Sequence, residues 1–305
     1  MIGSASRDLT PDDPRGWRLG GAAAYTGLVL ARLGLRPRVL LGVDGPASAA
    51  EELQWLRDAG ADLRLHPLVE GPVFTNRDTP DGRVQTCATP GVPLPTNAVP
   101  EDWLTSSAWC LVPVADEIDD AWAEVPPDDA LVVVGWQGLL RTLPRGGNVR
   151  RRAAREAALL RRAALVGLSR EDIAPGVLDA DLLRLLRPPV MLAITAGSNG
   201  GVAILVDGGG HRRVRNYPAI PADAAVDATG AGDAFLAGLL AARLGHPLAG
   251  SGRRGSDLRL AAALGSLVVE RPGLLGVPTL AAVAERMRRS LKTCVTPDGP
   301  AGSPV

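Results

Sequence analysis

The stretch "VDATGAGDAF", residues 226–235, places two glycines and an aspartate directly before an apolar pattern of helical period. The spacing of Phe235 and Leu239 predicts a helix over 231–243, and Gly245 is a suitable residue to end it. The glycines therefore lie at the helix N-terminus, where unbonded amides and the helix dipole favour an anion. An ordinary tight turn from strand to helix would use the same residue types, so the motif alone leaves both interpretations open.

Asp233 falls in the first turn of this predicted helix, where the dipole is expected to keep its carboxylate ionised and able to accept a proton. Gly230 and Gly232 allow the backbone to approach a phosphate without Cβ atoms in the way. Amides that hold a phosphoryl group beside a carboxylate base suit phosphoryl transfer to a hydroxyl. In the alternative interpretation, Asp233 only satisfies first-turn amides and the glycines only turn the chain.

Composition limits the classes of protein that fit. The chain has 305 residues, of which 46% are hydrophobic and 22% charged, as expected of one large α/β domain. A formal net charge of +0 gives no basic surface for nucleic acid or an anionic membrane. Lys292 is the only lysine, which excludes a Walker A loop and a protein-kinase site. The N-terminal sequence lacks the pattern of a signal peptide, so a cytoplasmic location is expected.

The order of apolar segments predicts the main sheet. Strand candidates without polar alternation are separated by helical patterns, which indicates a mostly parallel sheet covered by helices on both faces. The predicted strands are residues 38–43, 109–114, 130–136, 163–169, 190–197 and 201–207, and the predicted helices before 231–243 are 21–35 and 48–60. The first nine residues offer only a short strand.

Two polar segments rich in turn residues interrupt this order. Residues 10–19 and 71–91 predict a small β lid, and "TPDGR" is a hairpin turn signal. We assign lid segments to about 10–19 and 62–91 within one domain that covers 1–290. The Pro/Gly/Ser-rich residues 291–305 are predicted to be a disordered tail.

The motif "DATGAGDAF" closely resembles the C-terminal signature of the ribokinase/PfkB family of carbohydrate and nucleoside kinases. Three further segments, in family order, are similar to its glycine pair, its next strand and helix, and its nucleotide segment: "LGGAAAYTGLVLARLG" (19–34), "LLGVDGPASAAEELQWLRDAGAD" (40–62) and "ITAGSNGGVAILVDG" (194–208). The resemblance implies a ribokinase-like three-layer α/β/α sandwich with a mostly parallel central sheet and a small β lid. It implies ATP-dependent phosphorylation of a hydroxyl group on a small sugar or polyol.

Two alternatives remain beside that activity: a nucleoside kinase of the same family, and a non-catalytic protein that binds a nucleotide or sugar on this fold. Aromatic residues make up 3% of the chain, so few are available to stack on a base, which favours a sugar or polyol. "GWQGLLR" (135–141) is similar to a branch that includes myo-inositol kinases. The expected partner is the small-molecule substrate, without nucleic acid or membrane, and a homodimer through the lid is a further expectation.

The resemblance assigns roles on the acceptor side. Asp233 would be the catalytic base, and the stretch of Gly230, Ala231 and Gly232 would form the anion hole. The residues assigned to the acceptor are Asp8, Gly20, Gly21, Tyr25 and Gln137. A turn or capping role for Asp8, and an exposed loop position for Gln137, are the plain alternatives.

The resemblance also assigns a donor side and metals. The residues implied for ATP are Ser169, Thr195, Gly197, Gly200 and Ala261. Mg²⁺ would accompany ATP, with Asp172 as a contact, although "SRED" (169–172) replaces the asparagine and glutamate that the family often carries. A monovalent cation, K⁺, would lie by Asp227, Thr229 and the loop around Gly273. An ordinary turn between two strands is the alternative for Thr195, Gly197 and Gly200, and a loop scaffold is the alternative for Asp227 and Thr229.

Overall fold

The computed structural model describes residues 1–79, 82–250 and 255–293. Its strands, in chain order, are β1 (Ile2–Ser4), β2 (Ser6–Leu9), β3 (Trp17–Gly20), β4 (Arg38–Val43), β5 (Asp62–Pro67), β6 (Pro72–Thr79), β7 (Gly82–Pro90), β8 (Ala108–Leu111), β9 (Leu131–Gly135), β10 (Arg141–Thr142), β11 (Gly147–Asn148), β12 (Arg150–Arg151), β13 (Leu165–Ser169), β14 (Val190–Thr195), β15 (Gly201–Val206) and β16 (Arg212–Tyr217). Its helices are α1 (Ala22–Arg32), α2 (Gly45–Ser48), α3 (Glu52–Asp58), α4 (Ala158–Arg162), α5 (Asp179–Arg184), α6 (Ala231–Arg243), α7 (Ser256–Val268) and α8 (Leu280–Thr293).

A nine-stranded sheet forms the centre of the fold, in the order β16-β15-β14-β13-β9-β8-β1-β4-β5. The strands from β14 to β5 pair in parallel, and β15 and β16 add an antiparallel edge. The central strands are continuous apolar runs such as "LVVVG" in β9, which is typical of strands covered on both faces. The predicted mostly parallel sheet is confirmed, and each predicted strand is present: the ends of β4 are as predicted, and those of the others differ by at most three residues.

Helices cover both faces of this sheet. One apolar core holds buried side chains of α1, α3, α6, α7 and α8. The second core, on the other face, holds those of α4 and α5 together with buried tryptophans from the intervening loops. The three-layer α/β/α arrangement that the resemblance implies is therefore confirmed.

Two predicted elements need correction. The helix expected over 48–60 is shorter than predicted, because residues 45–48 form a separate short helix, α2, whose start is capped by the Asp44 carboxylate through the amide of Ala47. A second helix, α3, then starts at Glu52. Residues 62–67 are wrongly assigned to the lid, because they form β5, which pairs with β4 along the edge of the main sheet.

The lid is a separate five-stranded sheet in the order β11-β7-β6-β2-β3. The predicted hairpin is present as β6 and β7, and its turn at 80–81 lies outside the described residues. The sequence did not indicate β11, a two-residue strand that reaches the lid from the segment after β9. Arg15 joins the lid segment to the core, where its guanidinium donates to both oxygens of the buried Glu52 carboxylate at 2.8 and 2.6 Å.

The C-terminal end of the described chain is helical. The helix α8 runs to Thr293, so residues 291–293 do not belong to the predicted disordered tail, and residues 294–305 lie outside the described part. Within the described residues, none of the helices has both the length and the apolar character needed to cross a membrane.

Candidate active site

The site is built on the N-terminus of α6, which spans 231–243 as predicted. Gly230 caps it in the left-handed conformation, at φ 82° and ψ −2°. The first bond along the helix runs from the Ala234 amide to the Gly230 carbonyl at 2.8 Å, so the Gly232 and Asp233 amides precede the bonded turns. Apart from its chain neighbours and the backbone of α6 itself, no atom lies within 4 Å of the point where Gly232 would carry a Cβ, so space is open above the helix start. This geometry fits an anion.

Tyr25 lies directly behind this turn. A Cβ added at Gly230 would collide with the Tyr25 ring, whose carbon atoms occupy that position. The ring is buried in the larger core, where α1 packs on α6. Tyr25 therefore supports the Gly230 turn from the protein side, and its predicted contact with the acceptor stays a prediction.

Asp233 is partly buried in the first turn of α6. Burial raises the pKa of its carboxyl to about 7; the Arg141 guanidinium opposes this rise, and the carboxylates of Asp172 and Asp8 add to it. The helix dipole thus does not keep Asp233 fully ionised, contrary to the expectation from sequence. A carboxyl that titrates near neutral pH is suited to act as a general base.

Asp8 comes from the lid sheet, on β2. The Ser6 hydroxyl donates to its carboxylate at 3.1 Å. Gly20, on the neighbouring strand β3, faces the same carboxylate, and a Cβ there would collide with it. Gly21 has φ 102° and leaves room for the backbone around Ala5, whose Cα lies 3.0 Å from the position of the missing Cβ. Gly20 therefore leaves room for the Asp8 carboxylate, whose charge acts on Asp233, while Gly21 allows the close approach of the chain at Ala5.

A polar cluster lies at the ends of β9 and β13. Arg141 and Gln137 follow β9, and both donate to Asp172 Oδ1, at 3.2 Å from Nη2 and 3.3 Å from Nε2. The Ser169 amide donates to Asp172 Oδ2 at 3.1 Å, and the Ser169 hydroxyl accepts from the Glu171 amide. The structure thus brings Gln137, Ser169 and Asp172 together. Arg141 is part of the motif "GWQGLLR", but the sequence does not indicate its pairing with Asp172, which lies 31 residues away.

The fit of this cluster to magnesium is poor. Both oxygens of Asp172 already accept hydrogen bonds from the protein, one of them from a guanidinium. Mg²⁺ prefers free oxygen ligands in octahedral geometry. Within the described ranges, no group of three or more His, Cys, Asp or Glu side chains is placed to hold a metal ion.

The predicted donor residues lie beside this cluster. Thr195 ends β14 opposite Ser169 at the end of β13, and its hydroxyl donates to the Leu168 carbonyl at 3.4 Å. Gly197 and Gly200 form the following turn, with φ 55° and 80°. The carboxyl ends of parallel strands are the usual edge for ligand binding in open α/β sheets. Binding of ATP by these residues stays a prediction.

Ala261 is corrected from a nucleotide contact to a packing residue. It is fully buried on α7, and its Cα lies 2.7 Å from the position that a Cβ of Gly238 on α6 would take. The close approach of α6 and α7 leaves no room for a ligand at this side chain.

The loops predicted to bind a monovalent cation are joined by Asp227. Its Oδ1 accepts from the Thr229 amide at 2.9 Å, and its Oδ2 accepts from the Gly273 amide at 3.0 Å. The structure therefore brings the three predicted residues together. Cation binding itself stays a prediction.

Glu117 is a buried carboxylate that the sequence analysis missed. It accepts from the amides of Ser4 at 2.9 Å, Val114 at 3.0 Å and Ala115 at 2.7 Å. Burial raises the pKa of this carboxyl. Its bonds fix the chain ends that follow β1 and β8, next to the strand that carries Asp8. No local pattern signals this residue, because its partners come from distant segments.

Comparison with known proteins supports the resemblance seen in the motifs. Residues 178–280, about a third of the chain, match the family described as pfkB family carbohydrate kinase. No protein with curated annotation matches the sequence.

Similar solved structures cover almost the whole chain. A pyrophosphate-dependent kinase in the ribokinase family, complexed with a pyrophosphate analog and myo-inositol, is 15% identical, with 94% of this chain and 98% of that chain covered and a TM-score of 0.71. Ribokinase from Cryptococcus neoformans in complex with ADP is 17% identical, with coverage of 93% and 98% and a TM-score of 0.66. The Burkholderia thailandensis nucleoside kinase in complex with inosine is 17% identical, with coverage of 95% and 98% and a TM-score of 0.67. These likenesses confirm the ribokinase-like fold.

The pKa of Asp233 predicts a pH-dependent effect of Asp233→Asn on stability. Because the folded-state pKa of about 7 exceeds the 3.8 of an unperturbed aspartate, the native state retains a proton that the unfolded chain releases. The free energy of unfolding of the wild type therefore falls as the pH rises towards 7. That of Asp233→Asn does not fall for this reason, because asparagine does not titrate. We expect the stability of Asp233→Asn relative to wild type to increase by about 2–3 kcal/mol from pH 5 to pH 8.

Urea unfolding at the two pH values measures this difference. Asp128→Asn, at an exposed position, is the control and should show no such change. If the free energy of unfolding of Asp233→Asn differs from that of wild type by the same amount at both pH values, the raised pKa of Asp233 is contradicted.

Proposed function

We propose that this chain, which has a ribokinase-like fold and matches the pfkB family over residues 178–280, is an ATP-dependent phosphotransferase that phosphorylates a hydroxyl of a small sugar or polyol. Asp233 acts as the general base, and the Gly230–Gly232 helix N-terminus acts as the anion hole. One observation carries the proposal: a carboxyl with a pKa of about 7 lies in the first turn of a helix whose N-terminus is open at Gly232.

The chemistry follows from this arrangement. The Asp233 carboxylate removes the proton from the acceptor hydroxyl as the oxygen attacks the terminal phosphorus of the donor. The bond from phosphorus to the bridging oxygen breaks, and the rest of the donor leaves. Amides at the start of α6 stabilise the charge on the phosphoryl group. Asp8 hydrogen-bonds other hydroxyls of the acceptor, and Asp233 then releases its proton to solvent.

The donor and the acceptor are separate parts of the proposal. ATP is proposed because the motifs resemble those of ATP-dependent kinases and because a similar ribokinase is in complex with ADP. A pyrophosphate-dependent kinase of similar fold makes pyrophosphate the second donor to test. A sugar or polyol is preferred over a nucleoside because few aromatic side chains are available, although one similar structure holds inosine.

The remaining parts of the proposal come from the sequence and the resemblance. Mg²⁺ enters with ATP, and Ser169, Thr195, Gly197 and Gly200 form the donor side. K⁺ is proposed at the loops that Asp227 joins. We further propose action in the cytoplasm on a small molecule, without nucleic acid or membrane, and a homodimer through the lid.

A matrix of donors and acceptors tests the function. ATP and pyrophosphate, each with Mg²⁺, are combined with sugars, inositols and nucleosides, and ³¹P NMR detects any phosphorylated product. We expect turnover with ATP and a sugar or polyol, and a loss of about 10³-fold in Asp233→Asn with donor binding retained.

Other results of this matrix would overturn parts of the proposal. Turnover with nucleosides alone would establish the nucleoside-kinase alternative. Ligand-induced thermal shifts without any product would establish the non-catalytic alternative. Asp233→Asn with near wild-type turnover would remove Asp233 as the base.

Gly232→Ala separates a functional from a structural role of the glycine motif. Gly232 has helical backbone and open space at its Cβ position, so alanine should fold normally. The added methyl group enters the space proposed for the phosphoryl group, so kcat/KM should fall by about 10²-fold. Gly208→Ala, also with open space at its Cβ position, is the matched control and should retain full activity. A folded Gly232→Ala protein with wild-type kcat/KM would contradict the anion-hole assignment.

A further inference from the structure

We propose that Arg141 is the fixed cation of this site, and that its pairing with Asp172 replaces a protein contact to the divalent metal. Metal then enters the site only with the donor, and Asp172 does not bind it. This inference rests on the proposed function only in assuming that a phosphate donor arrives, because the pairing itself is a property of the chain.

The pair is largely withdrawn from solvent. The Arg141 side chain is 17% exposed and the Asp172 side chain is 6% exposed. Arg141 Nη2 donates to Asp172 Oδ1 at 3.2 Å, while the Ser169 amide holds the other oxygen at 3.1 Å. A metal ion at this carboxylate would have to displace the guanidinium and leave a cation unpaired at low exposure, which is costly.

The departures in "SRED" are consistent with this pairing. Asp172 is one methylene shorter than the glutamate often present in the family, and its carboxylate turns back to the amide of its own turn. Ser169 uses its hydroxyl to accept from the Glu171 amide. Both side chains are thus bonded within their own turn, and Arg141 supplies the positive charge beside Asp172.

The other arm of the guanidinium reaches the lid. Arg141 Nη1 donates to Gln85 Oε1 on β7 at 3.1 Å, and Gln85 Nε2 donates to Asn76 Oδ1 on β6 at 2.8 Å. The backbone next to β11 binds the same lid residue, through the Val149 amide and the Gln85 carbonyl at 2.8 Å. A continuous polar chain thus runs from the Asp172 turn, through Arg141, into the lid hairpin. Arg141 is a positioning residue that links the lid to the donor side of the site.

Arg141 also changes the net charge that a phosphate donor meets near Asp233. Of the charged side chains that act on Asp233 within the described residues, Arg141 is the cation and Asp172 and Asp8 are the anions. Without Arg141, three carboxylates would face an anionic donor. With Arg141 in place, the guanidinium offsets the negative charge of Asp172. The donor can then approach without a metal ion bound at that carboxylate.

Mn²⁺ binding to the full-length chain without nucleotide tests the inference, by electron paramagnetic resonance of the free ion. Wild type and Asp172→Asn should bind Mn²⁺ equally, because Asp172 contributes no site. Arg141→Gln should bind Mn²⁺ at least about tenfold more tightly than wild type, since it frees the carboxylate. The double variant Arg141→Gln/Asp172→Asn should lose that gain. Arg215→Gln, which breaks the Arg215–Asp257 pair away from this cluster, is the matched control and should behave as wild type.

Two results would overturn the inference: a wild-type Mn²⁺ site that Asp172→Asn removes, or Mn²⁺ binding by folded Arg141→Gln that equals wild type. The comparison of wild type with Asp172→Asn remains decisive if Arg141→Gln does not fold. None of these measurements needs turnover, so their failure is distinct from failure of the proposed kinase activity.

The hydrogen bond between Arg141 and Gln85 of the lid can be tested separately, by steady-state kinetics. Gln85→Leu removes the bond between Arg141 and the lid and leaves the pair with Asp172 intact. We expect the KM for the acceptor to rise about fivefold, with kcat and Mn²⁺ binding unchanged. A change in kcat alone would contradict a link that acts through lid position.

Discussion

The left-handed turn at Gly230 is the constraint on which the site depends. Only glycine fits there, because φ is 82° and the Tyr25 ring occupies the position of a Cβ. This contact fixes the start of α6 against α1, with open space at Gly232 and with Asp233 in the first turn of the helix. The proposed phosphate grip and the proposed base thus share one backbone feature, in a chain whose only lysine, Lys292, is 59 residues beyond Asp233.

The charged groups of the site come from both sheets of the protein. Asp8 lies in the lid sheet, and Asp172 follows a strand of the main sheet. Arg141 donates hydrogen bonds to Gln85 of the lid and to Asp172. Burial then raises the pKa of Asp233 into the neutral range, with two carboxylates and one guanidinium adjusting it in opposite directions. The lid therefore contributes one of the carboxylates that raise this pKa, and Arg141 joins the lid to the Asp172 turn.

Local patterns in the sequence predict much of the fold and the centre of the site. The helix over 231–243 and the apolar strands follow from periodicity, and Asp233 follows from its place in the first turn. Long-range pairings do not follow. The edge strand β5 was assigned to the lid because its pairing with β4 leaves no local mark, and β11 is only two residues long. The sequence places Arg141 in "GWQGLLR" without indicating its partner, and it does not indicate Glu117, because their partners come from distant segments. The burial of Ala261 depends on how closely α7 approaches α6.

In the proposed reaction, Asp233 takes the proton of the acceptor while the start of α6 holds the phosphoryl group. The decisive measurement is the pH dependence of kcat/KM, with the best acceptor, between pH 5.5 and 8.5. We expect kcat/KM to rise about tenfold per pH unit below a pKa near 7 and to reach a plateau above it, because only the ionised carboxylate accepts the proton. A kcat/KM that is constant across this range, in protein that stays folded, would contradict it.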